Sequence, residues 1–234
     1  MKAERTYIFA GASSGIALAS LRQLQSEGHR VIGISRQVPD SGYAVGHQVK
    51  SYAADSLPDI AQPVSGLAYF PGSILLKPFH RISSDEWKTL YQIHVGGAIE
   101  VLRKYYPLLK QSADGASVIL FSSVAAGTGM PFHAGVASMK AAVEGLARSL
   151  AAEWAPQIRV NVLALSLTDT PMAGNLLQTP EKREAAALRH PLRRTGSPED
   201  IAQAVSFLAD PARSGWISGQ IISVDGGIGA LRTG

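Results

Sequence analysis

YIFAGASSGIALASLRQLQSEG, residues 7–28, sets the fold. Four apolar, β-prone residues lead into Gly11, three small residues and Gly15. Ile16, Leu18, Leu21 and Leu24 then recur at helical spacing until Gly28 ends the run. This is a strand, a glycine turn, an amphipathic helix and a glycine C-cap in sequence. The glycines let the backbone turn tightly and approach a pyrophosphate, whose charge would rest on the amides of the helix N-terminus. Ala17 stands where a third glycine would bring helix and strand close.

Outward from this unit, RVIGIS (30–35) is a second strand, apolar enough for a sheet covered on both faces, and Arg36 follows directly. The loop-rich stretch 37–63 contains a weak third strand expected near 51–54, ending at Asp55. About a dozen residues separate Asp55 from a fourth strand at 66–70, so a short turn or no helix is expected there. Ser84-Asp-Glu-Trp87 reads as the start of a long helix to Leu109, with Ser84 as the cap. SVILF (117–121) delivers Ser122 and Ser123 to a strand end, a helix covers 136–154, and RVNVLAL (159–165) is a sixth strand. A looser insert with two prolines and a charged helical stretch spans 168–190 and is expected on the substrate side, over the pocket. Ser197-Pro198-Glu-Asp200 caps a helix to Ala209, and 221–224 is the last strand. The alternation implies an α/β fold over residues 1–234: one doubly wound parallel sheet of the Rossmann kind, helices on both faces, ligand across the C-terminal strand ends.

Composition narrows the function. The 234 residues are 46% hydrophobic and 17% charged, enough for one sizeable core. With no cysteine, disulfides and thiolate chemistry are excluded. The start MKAERTYIFAGASSG has no apolar signal core, and no run approaches the ~18 apolar residues of a membrane span, so a soluble cytoplasmic protein with no membrane partner is expected. The charge is +4 and the pI about 9.4, but the basic residues are scattered and the one adjacent pair, Arg193-Arg194, has no flanking aromatic. Nucleic acid is therefore not the expected partner. No metal-ligand spacing is evident either. At the end of strand two, Ser35 and Arg36 replace the acid that would bind a ribose 2′-hydroxyl, which favours NADP(H) over NAD(H).

These motifs together resemble the short-chain dehydrogenase/reductase family over nearly the whole chain. Gly11-x-x-x-Gly15-Ile-Ala17 is similar to its glycine motif, Asp55 to its adenine-contacting aspartate, Ser122-Ser123-Val to its catalytic serine segment and Lys140 to its active-site lysine. Asn161, Thr170-Pro-Met, Gly196-Ser-Pro-Glu-Asp and Val224-Asp-Gly-Gly227 match its C-terminal half. The resemblance implies cofactor contacts at Gly11, Ser13, Ser14, Gly15, Ile16, Ser35, Arg36, Asp55, Phe70, Gly72, Lys140 and Thr170. Lys140 would hold the nicotinamide ribose, Thr170 the carboxamide, and Ser123 would orient a substrate oxygen. The two long helices, 85–109 and 136–154, resemble those the family uses in assembly, so a homodimer or homotetramer is expected.

The departures from the family fall at its chemistry. The usual Tyr-x-x-x-Lys has Val136 in place of Tyr, and the helix Asn is His94, for which a buried structural role is expected. Asn-Asn-Ala-Gly reads Tyr69-Phe70-Pro71-Gly72, and Pro-Gly after the sixth strand reads Leu165-Ser166. Losing a positioned acid costs roughly 10²–10⁴ in rate. His133 lies seven residues before Lys140, where enoyl reductases of the superfamily carry a tyrosine, and is the candidate proton donor beside a plain loop role. The catalytic set is Ser123, His133 and Lys140, in an atypical NADP(H)-dependent reductase of a small carbonyl or conjugated C=C substrate. A degenerate nucleotide-binding sensor or partner subunit, and a non-redox isomerase or dehydratase, are the alternatives.

Overall fold

The computed structural model describes residues 4–38, 40 and 42–232. Seven strands, β1 (Thr6–Ala10), β2 (Arg30–Ser35), β3 (Val45–Gln48), β4 (Gly66–Tyr69), β5 (Ala116–Ser123), β6 (Ile158–Leu165) and β7 (Ile221–Val224), form one sheet in the order β3-β2-β1-β4-β5-β6-β7. Every pairing is parallel. The chain first winds outward from β1 to β3 and then crosses to β4, so the winding reverses between β1 and β4, where such sheets place ligands. The registers Ala10↔Ile34, Ala10↔Tyr69 and Ser123↔Leu165 bring Gly11, Ser35, Phe70, Ser123 and Leu165 to one edge.

Because both faces are covered, neighbouring residues of β1, β2, β4, β5 and β6 are nearly all buried rather than alternating. Ile8, Ile34, Val118, Leu120 and Val160 pack with Val101, Leu102 and Tyr105 of α3 (Gly97–Lys110) and Val143 and Ala147 of α4 (Ala134–Trp154). Phe9, Ile119, Phe121 and Leu163 face Leu21 and Leu24 of α1 (Gly15–Ser26) and Ile201, Val205 and Leu208 of α6 (Pro198–Ala209). Each such buried side chain stabilises the fold by roughly 1.5–3 kcal/mol.

Helix starts follow local chemistry. Ser197 Oγ accepts from Asp200 N at 3.2 Å, and Asp200 Oδ2 accepts from Ser197 N at 2.8 Å, the reciprocal cap expected from the sequence. At α2 (Ser84–Tyr91) the same box forms one residue earlier than expected: Ser83 is the cap because Glu86 then falls three positions on and can reach back to it.

Two further corrections bear on the site. The third strand is Val45–Gln48, not 51–54. It is an exposed edge strand bound to β2 through its backbone, so its Gly-His-Gln text needs no apolar pattern, while Tyr52 packs inward against the core. The long helix is also interrupted: Gln92–Gly96 form a π-helical turn between α2 and α3, pivoting on the buried His94. The insert 168–190 contains a 3₁₀ stretch, Pro171–Leu176, and α5 (Pro180–Arg189), joined by their own small core of Ala173, Leu177 and Ala186. Among the described residues, no helix is long and apolar enough to cross a membrane and no cluster could hold a metal ion.

Candidate active site

A cleft of about 1140 Å³ runs along the C-terminal strand ends. At its β1–β2 end, Gly11 has φ +81, and a β-carbon there would lie 2.8 Å from Pro71 Cδ and 2.9 Å from Pro71 N. Only glycine tolerates both the left-handed backbone and that approach. Ser14 caps α1, accepting from Ala17 N at 3.1 Å, and the first turn carries no carboxylate, which leaves the helix dipole uncompensated and suited to an anion. Ser13, Gly15 and Ile16 also line this end. Ser35 donates to Ser13 Oγ at 2.8 Å, tying the end of β2 to the glycine turn. Exposed Arg36 has no ion-pair partner among the described residues and lines the cleft beside Lys50.

The middle of the cleft is built by Phe70, Gly72, His94 and Lys140. Phe70 is buried, stacked on Phe121 with ring centroids 4.7 Å apart, so it fixes the wall by packing. Gly72 lies against both: a β-carbon there would be in ordinary contact, 3.9 Å, with His94 Nδ1 and Lys140 Nζ. Lys140 donates to the Phe121 carbonyl at 2.8 Å, and no carboxylate pairs with it among the described residues. Burial of its ammonium lowers its pKa from 10.5 to about 8. Burial, and then the Lys140 charge, lower His94 from 6.5 to about 3, so its ring is neutral. His94 Nε2 is 3.1 Å from Ser73 Oγ, whereas its buried Nδ1 has no hydrogen-bond partner among the described residues. The expected structural role is thus half met: one ring nitrogen is bonded, and the other is buried without a hydrogen-bond partner among the described residues.

At the far end, adjacent serines diverge. Ser122 donates to Glu144 Oε1 at 2.7 Å on the α4 face, while Ser123 faces the cleft, its Oγ accepting from Ala125 N at 3.2 Å. Val136 is buried in the cleft wall. His133, immediately before α4, has Nδ1 2.8 Å from the Pro131 carbonyl. A carbonyl only accepts, so Nδ1 donates its hydrogen there and Nε2 is the nitrogen left for the cleft. The preceding Phe132 sits at φ +66, a strained backbone that aims this loop. Thr170 lines the cleft at the start of the insert.

Of the sequence-derived residues, Gly11, Ser13, Ser14, Gly15, Ile16, Ser35, Arg36, Phe70, Gly72, Ser123, His133, Lys140 and Thr170 meet in this one cleft. Asp55 does not. Because β3 ends at Gln48, the residues that turn over the cleft are Lys50, Ser51 and Tyr52, and Asp55 falls in the 3₁₀ turn beyond, beside Ser56. The sequence reading also missed Tyr52, edge-on to Tyr69 at 5.7 Å, and a buried His190 bonded to Ser166. Placing the edge strand by its spacing from β2 would have exposed the first. No local signal marks the second.

The family model described as enoyl-(acyl carrier protein) reductase matches residues 47–229. The chain belongs to the short-chain dehydrogenase/reductase family. A tropinone reductase homolog of Arabidopsis thaliana is 37% identical over 67% of the chain, a match spanning 60% of the plant protein's length. Another tropinone reductase homolog of that plant is 31% identical, covering 96% of this chain and 92% of its own. Among solved structures, the ligand-free aldohexose dehydrogenase of Thermoplasma acidophilum superposes with a TM-score of 0.88 at 25% identity, covering 99% of this chain and 97% of that one. Short-chain dehydrogenases/reductases work with a nicotinamide dinucleotide. The glycine turn, the uncompensated dipole of α1 and Arg36, without an ion-pair partner among the described residues, fit such a group by their chemistry.

Proposed function

We propose that this short-chain dehydrogenase/reductase uses NADP(H) to reduce a small carbonyl or conjugated C=C substrate, with His133 as the proton donor, in a homodimer or homotetramer. The observation that carries the reading is the single cleft shared by the helix N-terminus at Gly15, the unpaired Arg36, Lys140, Ser123 and His133. The description of the matched family model and the names of the relatives support reduction as the reaction class.

Gly11, Ser13, Ser14, Gly15 and Ile16 would hold the pyrophosphate, Ser35 and Arg36 the 2′-phosphate, and Lys140 and Thr170 the nicotinamide end. A bound nicotinamide would supply the electron pair, and the remaining tasks fall to side chains of this chain. Ser123, whose Oγ already accepts a backbone bond, turns its hydroxyl hydrogen to the substrate oxygen and withdraws charge from it. Lys140 adds a positive charge close by. Protonated His133 gives its Nε2 hydrogen to the developing oxyanion or carbanion, and its Nδ1–H bond to Pro131 keeps that nitrogen pointed correctly. Val136 contributes a dry wall that strengthens these interactions.

The test is a panel of aryl ketones, enones and enoyl thioesters incubated with NADPH or NADH, monitored by cofactor absorbance and product analysis. The expected result is stoichiometric NADPH consumption on at least one member, with NADH markedly poorer. Tight NADPH binding without consumption on any member would replace this reading with a nucleotide-binding role.

A further inference from the structure

One polar pair in the cleft has no part in the chemistry above. Ser166 follows the last residue of β6, and Leu165 is the register partner of Ser123, so the two serines emerge from adjacent strand ends into the same cleft. Ser166 Oγ lies 2.9 Å from Nε2 of His190, a residue only 2% exposed at the end of α5. His190 Nδ1 in turn lies 2.7 Å from the Ala186 carbonyl.

That carbonyl fixes the direction of the whole chain of bonds. It can only accept, so Nδ1 carries a ring hydrogen; the ring is buried with no carboxylate paired to it among the described residues, which disfavours a second proton and leaves a lone pair on Nε2. Ser166 must then donate its hydroxyl hydrogen to His190. What Ser166 offers the cleft is an oxygen with lone pairs and no hydrogen. Ser123 is the opposite: its oxygen is occupied by Ala125 N–H and its hydroxyl hydrogen is uncommitted among the described residues. Two neighbouring hydroxyls, alike in sequence, are thus set as one donor and one acceptor. Around them the wall is apolar, with Val136, Met130, Leu165 and Met172.

We propose that Ser166, oriented by His190, is a specificity residue for substrates that carry a hydroxyl or N–H donor beside the reacting carbonyl, on an otherwise apolar body. The inference rests on the proposed reductase reading for the placement of the carbonyl at Ser123. A vicinal hydroxy ketone satisfies both groups, its carbonyl accepting from Ser123 and its hydroxyl donating to Ser166. A plain ketone leaves Ser166 facing apolar surface without a partner, and an ether in place of the hydroxyl sets oxygen against oxygen. His190 touches no substrate in this scheme and acts as a positioning residue.

The experiment is calorimetric binding of 2-hydroxyacetophenone and 2-methoxyacetophenone to the full chain with excess NADP⁺, where no net reduction occurs. One neutral hydrogen bond gained in place of a repulsive contact predicts about tenfold tighter binding of the hydroxy compound. Ser166→Ala should erase that preference, Ser166→Thr should restore it, and both should leave NADPH affinity within about twofold, a change of under ~0.5 kcal/mol. In the parent, ¹⁵N chemical shifts should report His190 with Nδ1 protonated and Nε2 not. Equal affinity for the two ketones, no binding of either, a Ser166→Ala loss common to both, or the opposite tautomer at His190 would each overturn the inference. A protein that discriminates the ketones yet never consumes NADPH would strike the reductase reading alone. One that consumes NADPH on ketones but shows no Ser166-dependent discrimination would strike this inference alone.

Discussion

At the β1–β2 end the cleft is shaped by backbone: Gly11 held at φ +81, a helix N-terminus, and a cap at Ser14. At the other end it is shaped by side chains hung on single acceptors: Lys140 on the Phe121 carbonyl, His133 on that of Pro131, Ser166 on His190. Backbone geometry admits few residue types, so the first end is written in glycines and serines at fixed offsets. Side-chain networks admit many solutions, so residues such as Val136 and His94 at the second end can vary without disturbing the sheet. The comparison explains why nucleotide binding and proton transfer are separable questions in this chain.

The sharpest way to break the first half is Gly11→Ala. Its β-carbon would meet Pro71 at 2.8 Å in a left-handed backbone. NADPH affinity should fall by on the order of a hundredfold in a fluorescence titration, since strain of a few kcal/mol is charged to the phosphate turn. Unchanged affinity would show that the turn does not hold the cofactor. Next in size is Arg36→Ala, which removes a charge-assisted contact of about 1.5–3 kcal/mol. NADPH should bind roughly ten- to a hundredfold more weakly while NADH is unaffected. Equal losses for both nucleotides would contradict the 2′-phosphate assignment.

The second half is probed through pH, by a readout of stability rather than of binding. Lys140 has a pKa of about 8 in the folded protein against 10.5 ordinarily. Between those values the unfolded chain binds a proton that the folded one has released, so stability rises with pH across this window. The cost of burying the ammonium is fully present below pH 8 and is relieved as pH approaches 10.5. Urea unfolding of Lys140→Met should lack this rise. A parental slope retained in the variant would place the titration elsewhere.

The same contrast governs what the sequence disclosed. The capping box at Ser197 and Asp200, the glycine turn and the continuous apolar strands are local, period-bound signals, and the structure repeats them. An exposed edge strand needs only backbone bonds, so residues 45–48 carry no apolar signal for β3; because the strand ends at Gln48, Lys50 and Tyr52 rather than Asp55 line the cleft. His94 in the π turn bonds Ser73, 21 residues away, and the Ser166–His190 bond joins residues 24 apart across the insert. Neither leaves a periodic trace.

The central claim is that binding was kept and proton donation rebuilt on His133. It is tested most directly by measuring, on His133→Ala, the NADPH dissociation constant and kcat for a substrate the parent reduces. The account predicts NADPH affinity within about twofold of the parent and kcat lower by roughly 10² or more, the loss of one positioned general acid. Undiminished kcat would show that the proton comes from another group, and a parallel loss of NADPH binding would show that His133 serves the fold rather than the reaction.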